Sequence, residues 1–389
     1  MLRSPGFEEL FARLVGFDTT SHRSNLEAVD WLADVLEHGG MRVVRQLSSD
    51  GDKANLLAWA GPDAEPGRDA GLALSGHLDV VPAGEPDWES DPFTLTDGGD
   101  RWTGRGTADM KGFLALACEL ALELRTQRLT APLALLFTYD EEVGSLGAAR
   151  LAGGLGELPP LPRAVLVGEP TRLQAVRLHK GHLRLAIELR GKPAHSGHPQ
   201  RGVSAVEAAG RAIVALSELR RTLEGERPEH SEHFPEVPFV ALNVARVEGG
   251  GAVNVIAERC RLDIGIRPLP EMTAEALVKR VRETVAAAVG DESEVTWELA
   301  MRHESPPLLA PDDAPLHRAL CEAIGQRRTV SAAFASDAGF LSRAGFDCVL
   351  WGPGDIAAAH RANEFLPKAD VARARGTLTA LIRRFCTNG

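Results

Sequence analysis

Short apolar segments alternate with helical patterns along roughly the first 180 residues of the chain. Four segments bounded by turn residues are typical of buried strands: ANLLAWAG, GLALSGHLDVV, PLALLFTY and RAVLVGEP. Two others, NLEAVDWLADVLEHGG and MKGFLALACELALELRTQ, repeat apolar residues at helical spacing. Alternation of this kind predicts a sheet covered by helices.

The pattern changes after residue 180 and returns near residue 303. Between these points the segments from HLRLAIELRG to SEVTWELAMR predict the order βαββαβ, a complete small α+β domain. The helix–strand alternation of the first 180 residues then returns, with the helix APLHRALCEAIGQ, the strand DCVLWGPG and the helix KADVARARGTLTALIRRFC. We therefore predict an α/β protein. Residues 1–180 and 303–389 form a domain with a helix-covered mixed sheet, and residues 181–302 form an inserted, ferredoxin-like domain.

Composition and charge narrow the function classes. The chain has 389 residues, 44% hydrophobic and 25% charged, and a formal net charge of -11, which argues against sequence-independent binding of nucleic acid. No apolar run reaches the ~20 residues that span a bilayer, and the first helical pattern lacks the apolar centre of a signal peptide. The 5 cysteines are scattered, which is typical of reduced thiols. We expect a cytoplasmic protein that binds neither nucleic acid nor membrane.

Polar residues gather where the predicted strands end. Three strands end in acids or a histidine, at His77 and Asp79, at Asp140 to Glu142, and at Glu169. In open α/β sheets, binding sites lie outside the carboxyl ends of the strands. Two further candidates, Asp109 and His360, lie in loops beside a helix start and after a strand. The pattern therefore predicts one site at this edge of the sheet.

The residue types indicate metal chemistry. His77 and Asp79 are two apart, so on an extended segment they share one side, and Asp79 can hold one ring nitrogen of His77 while the other binds a metal. Glu141 and Glu142 are adjacent and point opposite ways if extended, so one can bind metal and the other can take a proton from a bound water. Histidines and carboxylates without cysteine suit Zn²⁺, Co²⁺ or Mn²⁺, and there are enough for two ions that share a carboxylate.

Each motif alone also has an ordinary structural explanation. HLD is more often a turn, and consecutive acids are usually a solvated strand exit or a helix start. The metal interpretation is favoured because the motifs fall at successive strand ends. We interpret most other histidines as surface residues, namely His22, His38, His198, His230, His233, His303 and His317. His179 and His182, at the predicted domain junction, are interpreted as structural, with a role in substrate binding as the alternative.

Seven motifs in order resemble one known family. They are SGHLDVVPAG, WTGRGTADMKGF, DEEVGSLGA, GEPT, GKPAHSGHPQRGVSAVEAA, NVIAERCRLDIGIRPLP and GPGDIAAAH. Together they are similar to the zinc aminoacylase/carboxypeptidase family, whose members carry two cocatalytic metals. The match extends over nearly the whole chain. Two positions depart from the family: Ala108 stands where relatives often have Cys or Ser, and Gly197 stands where a second Ser is common.

The resemblance implies a role for each site residue. His77, Asp109 and Glu169 would hold one divalent ion, and Asp109, Glu142 and His360 the second, with Asp109 bridging. Zn²⁺ is the expected metal, with Co²⁺ as an alternative. Asp79 would orient His77, and Glu141 would be the general base. The resemblance also implies a cis peptide bond between Asp109 and Met110.

The inserted domain would be a lid or dimerisation domain, so the resemblance implies a homodimer as one assembly. On this domain, His195 would stabilise the oxyanion. Asn254 and Arg267 would face the carboxylate of a small-molecule substrate.

The implied activity is hydrolysis of the amide bond of an N-acyl amino acid. N2-acetyl-L-ornithine, cleaved to L-ornithine and acetate in arginine biosynthesis, is the first expectation. Acetylcitrulline, succinyl-diaminopimelate, another N-acyl amino acid or a dipeptide stay open as substrates. A non-catalytic metal-binding relative is the other class, and Glu141 favours an enzyme because such a relative needs no base.

Overall fold

The computed structural model describes residues 5–64, 70–125, 127–290 and 294–387. The helices in these ranges are α1 (Phe7–Gly16), α2 (Leu26–His38), α3 (Gly112–Leu124), α4 (Leu146–Gly153), α5 (Ala205–Gly225), α6 (Ala274–Val289), α7 (Pro315–Ile324), α8 (Ala338–Arg343) and α9 (Lys368–Cys386). The first strands are β1 (Arg42–Leu47), β2 (Ala54–Ala60), β3 (Leu72–His77), β4 (Thr96–Asp97), β5 (Arg101–Thr103), β6 (Leu133–Thr138), β7 (Ala164–Val167) and β8 (Val176–His179). The others are β9 (His182–Arg190), β10 (Ala241–Gly249), β11 (Arg259–Arg267), β12 (Thr296–Ser305), β13 (Leu308–Leu309), β14 (Val330–Ala332), β15 (Asp347–Leu350) and β16 (Phe365–Pro367).

The chain divides into two compact units. The first, which we call the main unit, comprises Met1–Arg177, Ala310–Val330 and Ser336–Gly389. The second, which we call the inserted unit, comprises Leu178–Leu309 and Ser331–Ala335.

A mixed sheet forms the centre of the main unit. Its strand order begins β1-β2-β6-β3-β7-β15, with antiparallel pairs at the β1 edge and parallel pairs from β6 to β15. β2, β3 and β6 are buried along their whole length, as the continuous apolar segments predicted. The α/β class and the mixed sheet are confirmed.

Helices cover this sheet and complete its core. α3 is apolar nearly all round and almost wholly buried, since only Glu119 and Glu123 on it are partly or fully exposed. It packs against α1 and α9, whose buried faces carry Leu10, Phe11 and Leu378. A small second sheet, in the order β16-β5-β4, lies in the same unit. This small sheet and β1 were not predicted, because they are short or half exposed.

The inserted unit has the predicted βαββαβ order, β9-α5-β10-β11-α6-β12. Its sheet is antiparallel throughout, in the order β10-β11-β9-β12. Buried residues alternate along β11, at Cys260, Leu262, Ile264 and Ile266, and they pack with the apolar faces of α5 and α6. The ferredoxin-like topology is therefore confirmed. None of the described helices combines the length and the apolar character needed to cross a bilayer.

Candidate metal centre

Parallel strands of the main unit carry the predicted acids and histidine to one edge of the sheet. His77 is the last residue of β3 and pairs with Thr138 at the end of β6. Glu141 and Glu142 follow β6, and Glu169 follows β7 by two residues. Because these strands are parallel neighbours, their carboxyl ends meet, as the strand-end argument expected.

Asp109 lies on a tight turn, Thr107–Lys111, that precedes α3. The Asp109–Met110 peptide bond is cis, as predicted. The carboxylate of Glu364 fixes this turn, because it accepts the backbone N–H groups of Gly106 at 3.0 Å, Ala108 at 2.9 Å and Asp109 at 3.1 Å. The Arg105 guanidinium also donates to Glu364, at 2.9 Å. Sequence reasoning missed Glu364, because a single acid in RANEFLP has no motif to mark it.

The first group of candidate ligands is wholly buried. His77, Asp109 and Glu169 each offer one ligand atom, and these atoms lie within 4.8 Å of one another. Nε2 of His77 lies 3.0 Å from Oδ1 of Asp109. Oε1 of Glu169 is buried and has no hydrogen-bond partner among the described residues. A buried carboxylate oxygen without a partner is costly, and a cation would satisfy it.

The second group shares Asp109 with the first. His360 Nε2 lies 3.2 Å from the other carboxylate oxygen of Asp109, Oδ2, and 2.9 Å from Oε1 of Glu142. Each oxygen of Asp109 therefore faces a different histidine. That is the geometry of a bridging carboxylate, and it brings together the five residues predicted as ligands.

The residues fit a pair of divalent cations. Ligands about 2.0–2.1 Å from a tetrahedral ion lie roughly 3.3 Å apart. The separations in these groups, 3.0, 3.2 and 2.9 Å, are near that value. The donors are two histidines and three carboxylates, a set that suits Zn²⁺, Co²⁺ or Mn²⁺.

The charges of the cluster shift the pKa values of its members. Burial opposes ionisation of Asp109, yet hydrogen bonds from His360 and His77 hold its pKa well below the usual value. The hydrogen bonds to Asp109 and Glu142 raise the pKa of His360 to about 10. Burial disfavours the charged form of His77, but Asp109 outweighs it and raises the pKa of His77 well above its usual value. The protonated forms of both histidines are therefore favoured, at positions where a metal would bind.

The other carboxylates of the cluster have raised pKa values, in contrast to the lowered pKa of Asp109. Burial, with the charge of Asp109, raises the pKa of Glu169 well above its usual value and raises that of Glu142. Burial also raises the pKa of Glu141 well above its usual value, and the charges of Glu169 and Glu142 add to the rise. The raised pKa values show that the ionised forms of these buried carboxylates repel one another, and a bound cation would stabilise them.

Asp79 makes contacts other than those expected of it. The ring nitrogen Nδ1 of His77 donates to the backbone carbonyl of Asp79 at 2.9 Å, whereas the Asp79 carboxylate lies 3.7 Å from that nitrogen. The carboxylate instead accepts the backbone N–H groups of Glu141 at 2.9 Å and Glu142 at 3.2 Å, and the hydroxyl of Ser21 at 2.8 Å. Asp79 thus ties the end of β3 to the two glutamates.

The two glutamates lie on a turn, not on the extended strand end that the sequence argument assumed. Asp140 has a left-handed φ of 55°, and the chain turns through residues 141–144. Asp140 is itself buried, and both its oxygens bind the ammonium of Lys53, at 2.6 and 2.7 Å. Lys53 also donates to the carbonyl of Ser21. The first acid of the run is therefore engaged in a buried ion pair, and only Glu141 and Glu142 face the centre.

A second acid missed by sequence reasoning lies close to the cluster. Asp337, at the start of α8, is buried, and its carboxylate accepts a hydrogen bond from the hydroxyl of Thr138. Burial raises its pKa to about 6, and its charge adds to the pKa rise of Glu141 and Glu169. Its sequence setting, ASDAGF, resembles an ordinary helix start, so nothing marked it.

The other predicted site residues, His195, Asn254 and Arg267, lie in the inserted unit. His195 is on the loop after β9, and its Nδ1 accepts the backbone N–H of Gly197 at 3.0 Å. Asn254 lies on the loop before β11, where its carbonyl accepts the N–H of Ser196 at 3.0 Å. Arg267 ends β11, paired with Ala241 of β10. Within this unit, His195 and Asn254 therefore lie on adjoining loops.

The main unit has a helix-covered mixed sheet, and two ligand groups that share one aspartate lie at the edge where its parallel strands end. This arrangement is that of a metal-dependent hydrolase with two metal ions. Residues 73–384 match the family described as Peptidase family M20/M25/M40. The chain is 36% identical over 387 residues to the acetylornithine deacetylase of Myxococcus xanthus, and the match covers 98% of each chain.

Solved structures show the same fold. A tripeptidase from Staphylococcus aureus matches with a TM-score of 0.77 and 19% identity, over 99% of both chains. A dinuclear metal-binding peptidase of the M20 family from Bacillus subtilis matches with a TM-score of 0.66 and 16% identity, over 97% of this chain and 96% of that one. The chain belongs to Peptidase family M20/M25/M40, and it is a metal-dependent amidohydrolase. The predicted family and enzyme class are confirmed.

Proposed function

We propose that this protein hydrolyses the amide bond of N-acyl amino acids, and that N2-acetyl-L-ornithine is its substrate in arginine biosynthesis. The observation that carries the reaction class is the pair of ligand groups that share Asp109. The choice of substrate is supported by relatives of 33–36% identity over 98–99% of this chain, which are named acetylornithine deacetylase.

His77, Asp109 and Glu169 would hold one divalent ion, and Asp109, Glu142 and His360 the other. Two ions bound there would polarise the scissile carbonyl and lower the pKa of a water molecule. We propose Zn²⁺ as the native metal, with Co²⁺ as a functional substitute, because both accept this mixture of imidazole and carboxylate donors.

Glu141 is the proposed general base. It is adjacent to the ligand Glu142 but belongs to neither ligand group, so its carboxylate remains available for protons. Burial raises its pKa, and a raised pKa suits a carboxylate that must take a proton from water and then release it. Glu141 would deliver that proton to the leaving amine. The contact between Asp79 and the backbone of Glu141 would keep the base in position.

The inserted unit would supply the groups that recognise the substrate. His195 would donate to the developing oxyanion, a contribution worth roughly 2.7–4 kcal/mol in comparable sites. Asn254 and Arg267 would bind the carboxylate of the amino acid, for which a guanidinium offers a paired donor. We propose that this unit acts as a lid or as the dimer contact. Sedimentation at several concentrations tests the dimer, since a strictly monomeric chain excludes it.

Hydrolysis of a substrate panel tests the proposed function directly. The protein, stripped of metal and reloaded with Zn²⁺ or Co²⁺, is assayed on the N-acetyl derivatives of ornithine, citrulline, methionine and glutamate, on N-succinyl-diaminopimelate, and on a dipeptide. We expect the highest kcat/KM for acetylornithine and a large loss without metal. A His195→Ala variant that retains both metals should lose turnover on the same substrate. Equal rates on all substrates, or a preference for the dipeptide, would contradict the choice of acetylornithine.

A further inference from the structure

A second group of metal-binding side chains lies in the inserted unit. The loop between α5 and β10 carries Glu229, His230, Glu232 and His233, and the loop after β11 carries Glu271. We call these five residues the His230 cluster. None of them belongs to the candidate metal centre, and the reaction described above uses none of them.

Two overlapping sets of ligand atoms form this cluster. His230, Glu232 and His233 place one ligand atom each within 4.8 Å of one another, and so do Glu229, His230 and Glu271. His230 is common to both sets. Two histidines three residues apart, joined by carboxylates, form a donor set that binds Zn²⁺ and similar ions.

In each set, one separation fits two ligands of a metal ion better than it fits a hydrogen bond. His230 Nε2 lies 3.4 Å from Oε2 of Glu271, and His233 Nε2 lies 3.4 Å from Oε1 of Glu232. A good N–H···O hydrogen bond is about 2.7–3.2 Å long. Two ligands of a tetrahedral ion stand roughly 3.3 Å apart, given bonds of about 2.0–2.1 Å.

A buried ring nitrogen without a hydrogen-bond partner in the described part of the chain belongs to the residue that both sets share. Nε2 of His230 is buried and has no hydrogen-bond partner among the described residues. A buried polar atom without a hydrogen-bond partner is destabilising, because it has lost water without a replacement. Ligation of an ion would satisfy it, and the acidic neighbours Glu229 and Glu271 would balance the ion's charge.

The loop that carries the histidines is already fixed by other contacts. The hydroxyl of Ser331 donates to the carbonyl of His233, and Phe234 is buried next to it in the sequence. The ammonium of Lys180 donates to the carbonyls of Val237 at 2.6 Å and Phe239 at 2.7 Å. A site on a prearranged loop loses less conformational freedom when it binds an ion.

From these observations we propose that the inserted unit holds a third divalent-metal site, centred on His230. The ion would join the α5–β10 loop to the β11–α6 loop through Glu271. Its role would be to stabilise these two loops, since no residue of the cluster is part of the proposed reaction.

Counting bound Zn²⁺ tests this site. The full-length protein is stripped with a chelator and titrated with Zn²⁺ against a chromophoric competitor, together with His230→Asn and a matched control, His38→Asn. We expect wild type and His38→Asn to bind one more equivalent than His230→Asn. His233→Asn and Glu271→Gln should each weaken that equivalent at least tenfold, because each removes a ligand from one of the two sets that share His230.

Hydrogen exchange shows where the extra ion binds. The third equivalent should slow amide exchange at residues 229–240 and 269–273 in wild type and leave these residues unchanged in His230→Asn. Circular dichroism verifies that each variant is folded. Equal Zn²⁺ counts in wild type and His230→Asn would overturn the proposal, as would an extra equivalent that protects neither loop.

Discussion

At the scale of single residues, the acids Asp140, Glu141 and Glu142 have three different surroundings. Asp140 is buried against the ammonium of Lys53. Glu142 is 2.9 Å from His360, beside Asp109. Glu141 lies between these two residues in the chain and takes part in neither contact. Three consecutive acids thus form an ion pair, a candidate metal ligand and the proposed general base, so neighbouring acids have different surroundings and different proposed roles.

The buried pair of Lys53 and Asp140 should matter for stability rather than for chemistry. Lys53→Met would leave the Asp140 carboxylate buried without its partner, a change that costs about 3–5 kcal/mol. Denaturant unfolding of the metal-free protein measures the loss. The double variant Lys53→Met/Asp140→Asn removes the orphaned charge, so it should recover part of the stability. A single Lys53→Met variant as stable as wild type would contradict this account.

At the scale of secondary-structure elements, the strands bring the candidate ligands to one edge of the sheet, and the loops set their orientation. β3, β6 and β7 are parallel neighbours that end at the same edge, so His77, Glu142 and Glu169 were predictable from apolar runs followed by polar residues. The conformations of the loops were not predictable. Three backbone N–H groups bind the distant Glu364, and no local pattern in the sequence encodes that contact.

Glu364 should control metal affinity through the turn that carries Asp109. In Glu364→Gln, an amide NH₂ would replace one of the oxygens that accept N–H groups, so the turn would lose part of its support. We expect metal affinity to fall by about 10–100-fold, as is common for residues that support metal ligands. Titration with Zn²⁺ against a competing chelator measures it. Glu85→Gln, which alters the other carboxylate bound to Arg105, serves as the control and should bind metal normally.

The small strands show which parts of the fold could not be predicted from the sequence. β1 and the sheet of β4, β5 and β16 went unpredicted because their strands are half exposed or only a few residues long. The contact between Asp79 and the Glu141 backbone joins residues 62 positions apart, which lies beyond local periodicity. Residue types at strand ends therefore indicated which side chains meet, whereas the supporting contacts required the structure.

At the scale of the whole molecule, charge, protons and metal are linked. In the metal-free main unit His360 has a pKa of about 10 and is protonated at neutral pH, and the raised pKa of His77 favours its protonated form. Metal must displace these protons. Metal affinity should therefore fall as pH falls, by about tenfold per pH unit for each proton released.

Calorimetry in two buffers with different ionisation enthalpies measures that release. We expect net proton release on metal binding at pH 7, including the proton of His360, whose pKa is about 10. The variant His360→Asn should release fewer protons than wild type. Metal binding without net proton release would show that the histidines are neutral in the metal-free protein, against the pKa shifts given above.

The most direct test of the central claim compares Glu141→Gln with Glu142→Gln. Metal content per chain and turnover of acetylornithine are measured on the same samples of both variants and of wild type. We predict that Glu141→Gln keeps both metals and loses most of its turnover, because only the proton carrier has been removed. Glu142→Gln should lose metal together with activity. Equal metal loss in the two variants, or an active Glu141→Gln enzyme, would contradict the division of work between these neighbouring glutamates.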